Sequence, residues 1–326
     1  MILQATLAFQ PDLLLVDKSP AGVQDELLPT LRYLKTWHPE SRLVLGMRDI
    51  EDSPEATSRE WETKGIRKLH EEVYDHILLY GEREIFDPVI EYEMSRAVER
   101  KMTAVGYLGR ANPTKSRETI RQELNIGDSP LILLTAGGGG DGFELFQTYL
   151  ESFLRDDAER SEAHTVIVTG PLMAKRKREL LRNAAQSDHL TFLEFTQDLA
   201  SYMAAADLIV SMAGYNTVRE ALSLGTRLLL VPRTHPRVEQ LIRAERLAGR
   251  GMLRFLDPAD LSPRRLADEI KISLSMSPPS VDMDFDGLER ASQVISQLIT
   301  DRLPSEWEMG FEQQLFAQKT LQELDL

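Results

Sequence analysis

The sequence predicts an α/β protein made of parallel sheets: half of one doubly wound domain, then a whole one. Three observations carry this. Short apolar runs alternate with longer amphipathic segments along the chain. The runs are apolar at consecutive positions, which suits strands covered on both faces. The alternation breaks once, over the polar, Gly- and Pro-bearing stretch 109–130, and then restarts. Four strand candidates precede the break and six follow it, so the first unit reads as truncated.

In order, residues 2–10 read as the end of a helix leading into a strand at 12–17 (DLLLVD). Residues 23–36 have helical spacing, and 42–47 (RLVLGM) is the next buried strand. Residues 58–74 are again helical, 76–80 (HILLY) is a strand, and 103–107 is a short last one. The stretch 109–129 is a linker with a short helix at 117–124. The second unit has strands at 131–135, 165–169, 191–195, 207–211, 228–231 and 252–255. Helices fit between them at 143–154, 175–185, 198–205, 217–224 and 238–247, with two more at 261–276 and 288–301. Pro304 opens a final helical tail over 306–324. The expected domains are therefore 1–108, 109–129 as linker, 130–303, and a tail at 304–326.

Composition narrows the function. Of 326 residues, 38 are Lys or Arg and 52 are Asp or Glu, a net charge of −14. Non-specific nucleic-acid binding needs a basic face and is not expected. There are no cysteines, so disulfides, thiolate metal sites and cysteine nucleophiles are excluded. The six histidines are scattered, with no i, i+4 ligand pair. No apolar run approaches the ~20 residues of a membrane span. No basic stretch leads into an apolar one at the N-terminus, so a cytoplasmic protein is expected.

Three segments carry chemistry. In the first, strand 131–135 runs into Gly137, Gly138, Gly139, Gly140 and Gly142 and then a helix. Glycines let backbone approach a phosphate, and a helix N-terminus supplies free amides and a positive dipole end. The G-x-G-x-x-G spacing lacks the acid that a nicotinamide site needs, because the next strand ends Val168-Thr169-Gly170. No Gly-Lys-Ser/Thr follows, which excludes a triphosphate P-loop. In the second, strand 207–211 leads through Gly214 into a helix carrying Tyr215, Asn216, Thr217 and Glu220. Thr217 and Glu220 also have the spacing of a capping box. In the third, strand 228–231 leads into Arg233, His235, Glu239 and Gln240, which either read ligand hydroxyls or solvate a loop.

Together, in this order and spacing, these segments resemble the C-terminal domain of glycosyltransferase family 28, over residues 130–259. Residues 12–22, Gly46-Met47-Arg48-Asp49 and Tyr80-Gly81-Glu82 resemble a less characterised bacterial branch of predicted glycosyltransferases. The resemblance implies the GT-B fold, two Rossmann-like domains facing each other across a cleft, with a UDP-sugar in the second. It places Gly138, Gly139, Gly140 and Gly142 beside the diphosphate, with Gly140 where the family has a serine. It sets Phe195 and Thr196 at the uracil. Gly214, Tyr215, Asn216 and Thr217 would offer amides to phosphate, and Glu220 would take the ribose diol. Glu239 and Gln240 match paired glutamines that touch the sugar, and Glu239 departs from that pair.

The implied reaction is inverting displacement at the anomeric carbon, without metal or cofactor. The family's base lies in a Gly-rich turn with a histidine, which this sequence does not contain ahead of Asp12. Asp17 is a substitute candidate, with Arg48 and Asp49 on the acceptor side. Its alternative reading is a turn-capping carboxylate. The acceptor is not identified. A non-catalytic nucleotide-sugar-binding protein, or a partner whose missing half comes from a second subunit, stays open beside the enzyme. Asp282, Asp284, Asp286 and Gly287 match half of a calcium loop, but its twelfth position is Gln293. The acids ahead of the last helix are better explained by its dipole, so no metal site is expected. Lys175–Arg178 reads as a solvated helix start.

Overall fold

The computed structural model describes residues 1–109, 111–154 and 163–300. Its strands form two all-parallel sheets. The first holds β1 (Leu13–Asp17), β2 (Arg42–Arg48), β3 (His76–Tyr80) and β4 (Met102–Ala104), in that spatial order. The second holds β5 (Leu131–Thr135), β6 (His164–Val168), β7 (Leu190–Leu193), β8 (Leu208–Ser211), β9 (Leu228–Leu230) and β10 (Arg254–Phe255). Its order is β10-β9-β8-β5-β6-β7, so direction along the sheet reverses between β5 and β8.

The helices of the first unit are α1 (Ile2–Phe9), α2 (Leu28–Trp37), α3 (Pro54–Thr63), α4 (Ile66–Lys68), α5 (Pro88–Glu91) and α6 (Arg96–Arg100). Then come α7 (Arg117–Leu124), α8 (Phe143–Leu154), α9 (Lys175–Ala184), α10 (Leu199–Ala205), α11 (Tyr215–Ser223) and α12 (Glu239–Ala248). The last two are α13 (Pro263–Ser275) and α14 (Gly287–Thr300).

Differences from the expected elements have local causes. The helix expected over 58–74 starts earlier, because Ser53 accepts from Ala56 N and Pro54 suits a first turn. It then breaks at Gly65 (φ +65°) and resumes as α4 and a π-helical turn, Leu69–Val73. The strand expected at 103–107 stops at Ala104, since Gly106 (φ +83°) turns the chain. The short helices α5 and α6, capped by Asp87 and Ser95, have no apolar period to betray them. The helical tail expected over 306–324 lies outside the described residues.

Alternation along the strands sorts the core into layers. Leu43, Leu45 and Met47 of β2 face the outer helices of the first unit. Ile132 and Leu134 of β5 do the same in the second. Val44 of β2 and Leu78 and Tyr80 of β3 share a third cluster with Leu131, Leu133 and Ile209 of the second sheet. The two units therefore pack through one apolar layer.

The chain also crosses back. Tyr107 N donates to Asp284 O (2.8 Å), Gly287 N to Tyr107 O (3.1 Å) and Arg290 Nε to Val105 O (3.0 Å). The start of α14 is thus seated on the end of β4. At the amino edge of the second sheet, Asp207 accepts from Leu131 N (2.8 Å), Arg117 (2.5 Å) and Arg121 (3.3 Å). That tie holds α7, in the expected linker, against the second unit. A polar cavity of about 470 Å³ lies there, lined by Arg117, Arg121, Asp207 and Arg227. Those arginines are occupied by Asp207 and by backbone carbonyls.

Candidate functional site

Open α/β sheets bind ligands at the carboxyl ends of their strands, where strand order reverses. Here that point lies between β5 and β8, with Thr135 in register with Ser211. Each strand leads into a glycine turn and a helix. The turns meet: a Cβ on Gly137 would stand 3.3 Å from Thr217 Oγ1.

The glycines of the first turn divide into two kinds. Gly139 has φ +84°, and a Cβ there would lie 1.9 Å from Thr169 O. A Cβ on Gly142 would lie 2.4 Å from that of Ala136, and one on Gly170 would lie 2.4 Å from Gly137 O. Leu172 N donates to Gly138 O at 2.9 Å. Gly139 and Gly170 are therefore required by the packing of the β5–α8 turn on the β6–α9 turn, and Gly142 by packing within the β5–α8 turn, against Ala136 and Phe146. A Cβ on Gly140 or Gly214 would meet nothing within 4 Å. These two glycines leave open space beside the helix starts.

Helix α11 begins at Tyr215, with Gly214 as N-cap and no side-chain cap. Thr217 is therefore its third residue and no N-cap, and the capping-box reading fails. The amides of Tyr215, Asn216 and Thr217 are left at an uncapped helix start, where the dipole favours an anion. Asn216 is exposed. The Tyr215 ring instead turns to the first unit, where its hydroxyl donates to Tyr80 O (3.0 Å). Arg48 from the end of β2 lies 4.9 Å from its centroid, and Arg243 lies 5.6 Å away. Glu220, on the next turn, accepts from Arg219 (3.1 Å) and keeps 31% of its side chain exposed.

Glu239 and Gln240 open α12. Gln240 is buried, and its Oε1 accepts from Ala213 N (3.1 Å) and Arg233 N (3.3 Å). Arg243 donates to Ala213 O at 2.9 Å. Gln240 and Arg243 thus brace the Gly214 turn from behind. Glu239 pairs with Arg233 at 2.7 Å, and Arg233 also reaches Asp141 in the glycine turn at 3.6 Å. Arg233 belongs to the third segment singled out in the sequence, whereas Asp141 and Arg243 were not among the site residues it suggested. Phe195, beyond the end of β7, is 58% exposed, and Thr196 Oγ1 accepts from Asp198 N (3.2 Å).

On the first unit, Asp17 is exposed at the end of the edge strand β1. Asp49 is not available to a ligand. It is 1% exposed, with Oδ1 accepting from Ile50 N (2.8 Å) and Oδ2 from Tyr107 OH (2.9 Å). Burial and the Asp49 charge push the Tyr107 phenol well above its ordinary range. A further residue that sequence reasoning missed is Glu51. Burial raises its carboxyl from 4.5 to about 7, against the opposing pull of Lys18, Arg237 and Arg48.

A doubly wound sheet with two glycine turns at its switch point, facing a second parallel sheet, has the GT-B architecture. Residues 132–298 match the glycosyltransferase family 28 C-terminal domain, and the chain belongs to that family. It is 24% identical over 204 residues to an uncharacterized glycosyltransferase of Methanopyrus kandleri, covering 61% of this chain and 55% of that protein. It is 27% identical over 192 residues to the UDP-N-acetylglucosamine–N-acetylmuramyl-(pentapeptide) pyrophosphoryl-undecaprenol N-acetylglucosamine transferase of Acetivibrio thermocellus, covering 57% and 51% respectively. The chain spans about half the length of these curated relatives. Among solved structures, the glycotransferase of kitacinnamycin aligns with a TM-score of 0.61 at 14% identity, over 91% of this chain and 78% of that one. Among the described residues, no helix is long and apolar enough to cross a membrane.

Proposed function

We propose that the chain binds a UDP-sugar at the switch point and transfers the sugar, with inversion, to an acceptor hydroxyl. The observation that carries this reading is the convergence of the Gly137–Gly142 turn on the uncapped start of α11. The amides of Tyr215, Asn216 and Thr217 would hold the diphosphate, with the open space at Gly140 and Gly214 admitting it. As UDP departs, negative charge grows on its β-phosphate, and oriented amides stabilise that charge without a metal. Glu220 would accept from the ribose diol, and the exposed Phe195 with Thr196 would border the base. Glu239, held by Arg233, would bear on the donor sugar.

Calorimetric titration with UDP tests this. Glu220→Ala is expected to weaken UDP about tenfold, the worth of one charge-assisted hydrogen bond. An unchanged affinity would remove Glu220 from the site.

A second reading, a nucleotide-sugar-binding partner in a larger enzyme, is favoured by the free edge of the first sheet. Among the described residues β1 pairs only with β2. Leu15 on β1 is 42% exposed, and Ile2 and Phe9 on α1 are 41% and 81% exposed. A strand from another polypeptide would cover them and bring its own groups beside Asp17. UDP binding without UDP release from any donor would mark this reading.

A further inference from the structure

The geometry points to Glu51 as the general base that takes the proton of the acceptor hydroxyl. This rests on the glycosyltransferase reading above and names a group that reading needs. Glu51 lies in the loop at the carboxyl end of β2. The loop is pressed against the β9–α12 loop. Asp52 Oδ1 accepts from Val238 N at 2.9 Å, and Arg237 pairs with Glu60 at 3.0 Å. At the strand end just before it, Arg48 reaches over the Tyr215 ring at the start of α11. Glu51 thus belongs to the wall of the first unit that meets the β9–α12 loop, its backbone held by Glu51 N donating to Tyr92 OH (2.9 Å).

Its carboxyl is unlike the others on that wall. Oε1 is buried and has no hydrogen-bond partner. Asp49 has both oxygens engaged. Asp52 accepts from Ser53 N and Val238 N, and Glu60 is paired with Lys64 and Arg237. Asp17 stands in water. The charges facing Glu51 are Lys18 from the loop after β1, Arg48 and Asp49 from β2 and its end, and Arg237 from the opposite loop. Burial outweighs the three cations and leaves the group titrating about 7, where a base is both ionised and strong enough to accept a proton.

The acceptor oxygen attacks the anomeric carbon, and its proton passes to the Glu51 carboxylate. The bond from that carbon to the β-phosphate oxygen breaks, and UDP leaves with the electron pair. The Glu51 acid then returns its proton to solvent.

The test measures UDP release from UDP-glucose and UDP-N-acetylglucosamine with water as acceptor, across pH 5–9, for the full chain and Glu51→Gln. UDP affinity is measured by calorimetry for both. The wild-type rate is expected to rise as pH rises through about 7 and then level off. The variant should lose about 100-fold or more and its inflection, with UDP affinity unchanged. A variant that keeps the wild-type rate and pH profile overturns the assignment. So does a wild type that binds UDP but releases none from either donor at any pH. A wild type that does not bind UDP defeats the glycosyltransferase reading itself. Matched UDP affinity in the two proteins excludes misfolding as the cause of a lost rate.

Discussion

Gly139→Ala is expected to lower the melting temperature by roughly 10 °C and to abolish UDP binding. The Cβ would arrive 1.9 Å from Thr169 O, a backbone atom that moves only if the β6–α9 turn moves. The residue also has φ +84°, which an alanine adopts at a cost of about 1–2 kcal/mol. Overpacking adds about 1–3 kcal/mol. A sum of about 2–5 kcal/mol, at roughly 2–4 °C per kcal/mol for a chain of this class, brackets the stated shift. Gly140→Ala is the control. Its Cβ meets nothing within 4 Å, and its φ is not in the left-handed region, so its melting temperature should hold. If phosphate occupies that space, Gly140→Ala loses UDP affinity all the same. Scanning calorimetry on the two variants separates them. A Gly139→Ala protein that melts with the wild type would show that the two turns do not pack as described.

Gln240→Ala is expected to weaken UDP about 100-fold and to cost about 2–3 kcal/mol of stability. Removing the side chain leaves the buried Ala213 N and the half-buried Arg233 N without their shared acceptor. The Gly214 turn then loses its brace, and the amides at the start of α11 lose alignment. Gln240→Glu retains an acceptor oxygen and should bind UDP nearly as the wild type does. The resemblance to paired glutamines implies something different, direct contact with the donor sugar. In that case UDP itself would bind Gln240→Ala normally and only the UDP-sugar would bind less. Comparing UDP with UDP-glucose in one titration series decides between bracing and contact.

Several site features were legible in the chain, and the reasons are local. Leu131–Thr135 is apolar at nearly every position, so a strand covered on both faces was readable from five consecutive residues. The glycine turns at 137–142 and at 214 were readable because few residues tolerate a strand-to-helix turn that tight. Their purpose was only half readable. Glycine at 139 and at 140 looks the same in sequence, yet one packs against Thr169 and the other opens a space. Thr217 and Glu220 had the spacing of a cap, but the helix starts two residues before Thr217.

Asp49 and Glu51 mark the limit more sharply. Both are acids just past the same strand end, and sequence reasoning chose Asp49. The fold turns Asp49 inward to Tyr107, 58 positions away, and leaves Glu51 facing Arg237 on the opposite unit. Gln240 is likewise engaged by Ala213, 27 positions away, instead of standing free at a loop.

By itself the sequence determined the parallel α/β class, the order of strands and helices along the chain, and the two glycine turns. Each depends on the period of apolar residues or on the backbone freedom of one residue, and both are properties of a short window. Only the tertiary structure decided which carboxylates meet a partner, which are buried without one, and which glycines face a neighbour or open space. Those outcomes depend on electrostatics and close packing between segments that meet only after the sheets have formed, and no short window of sequence contains both sides of such a contact.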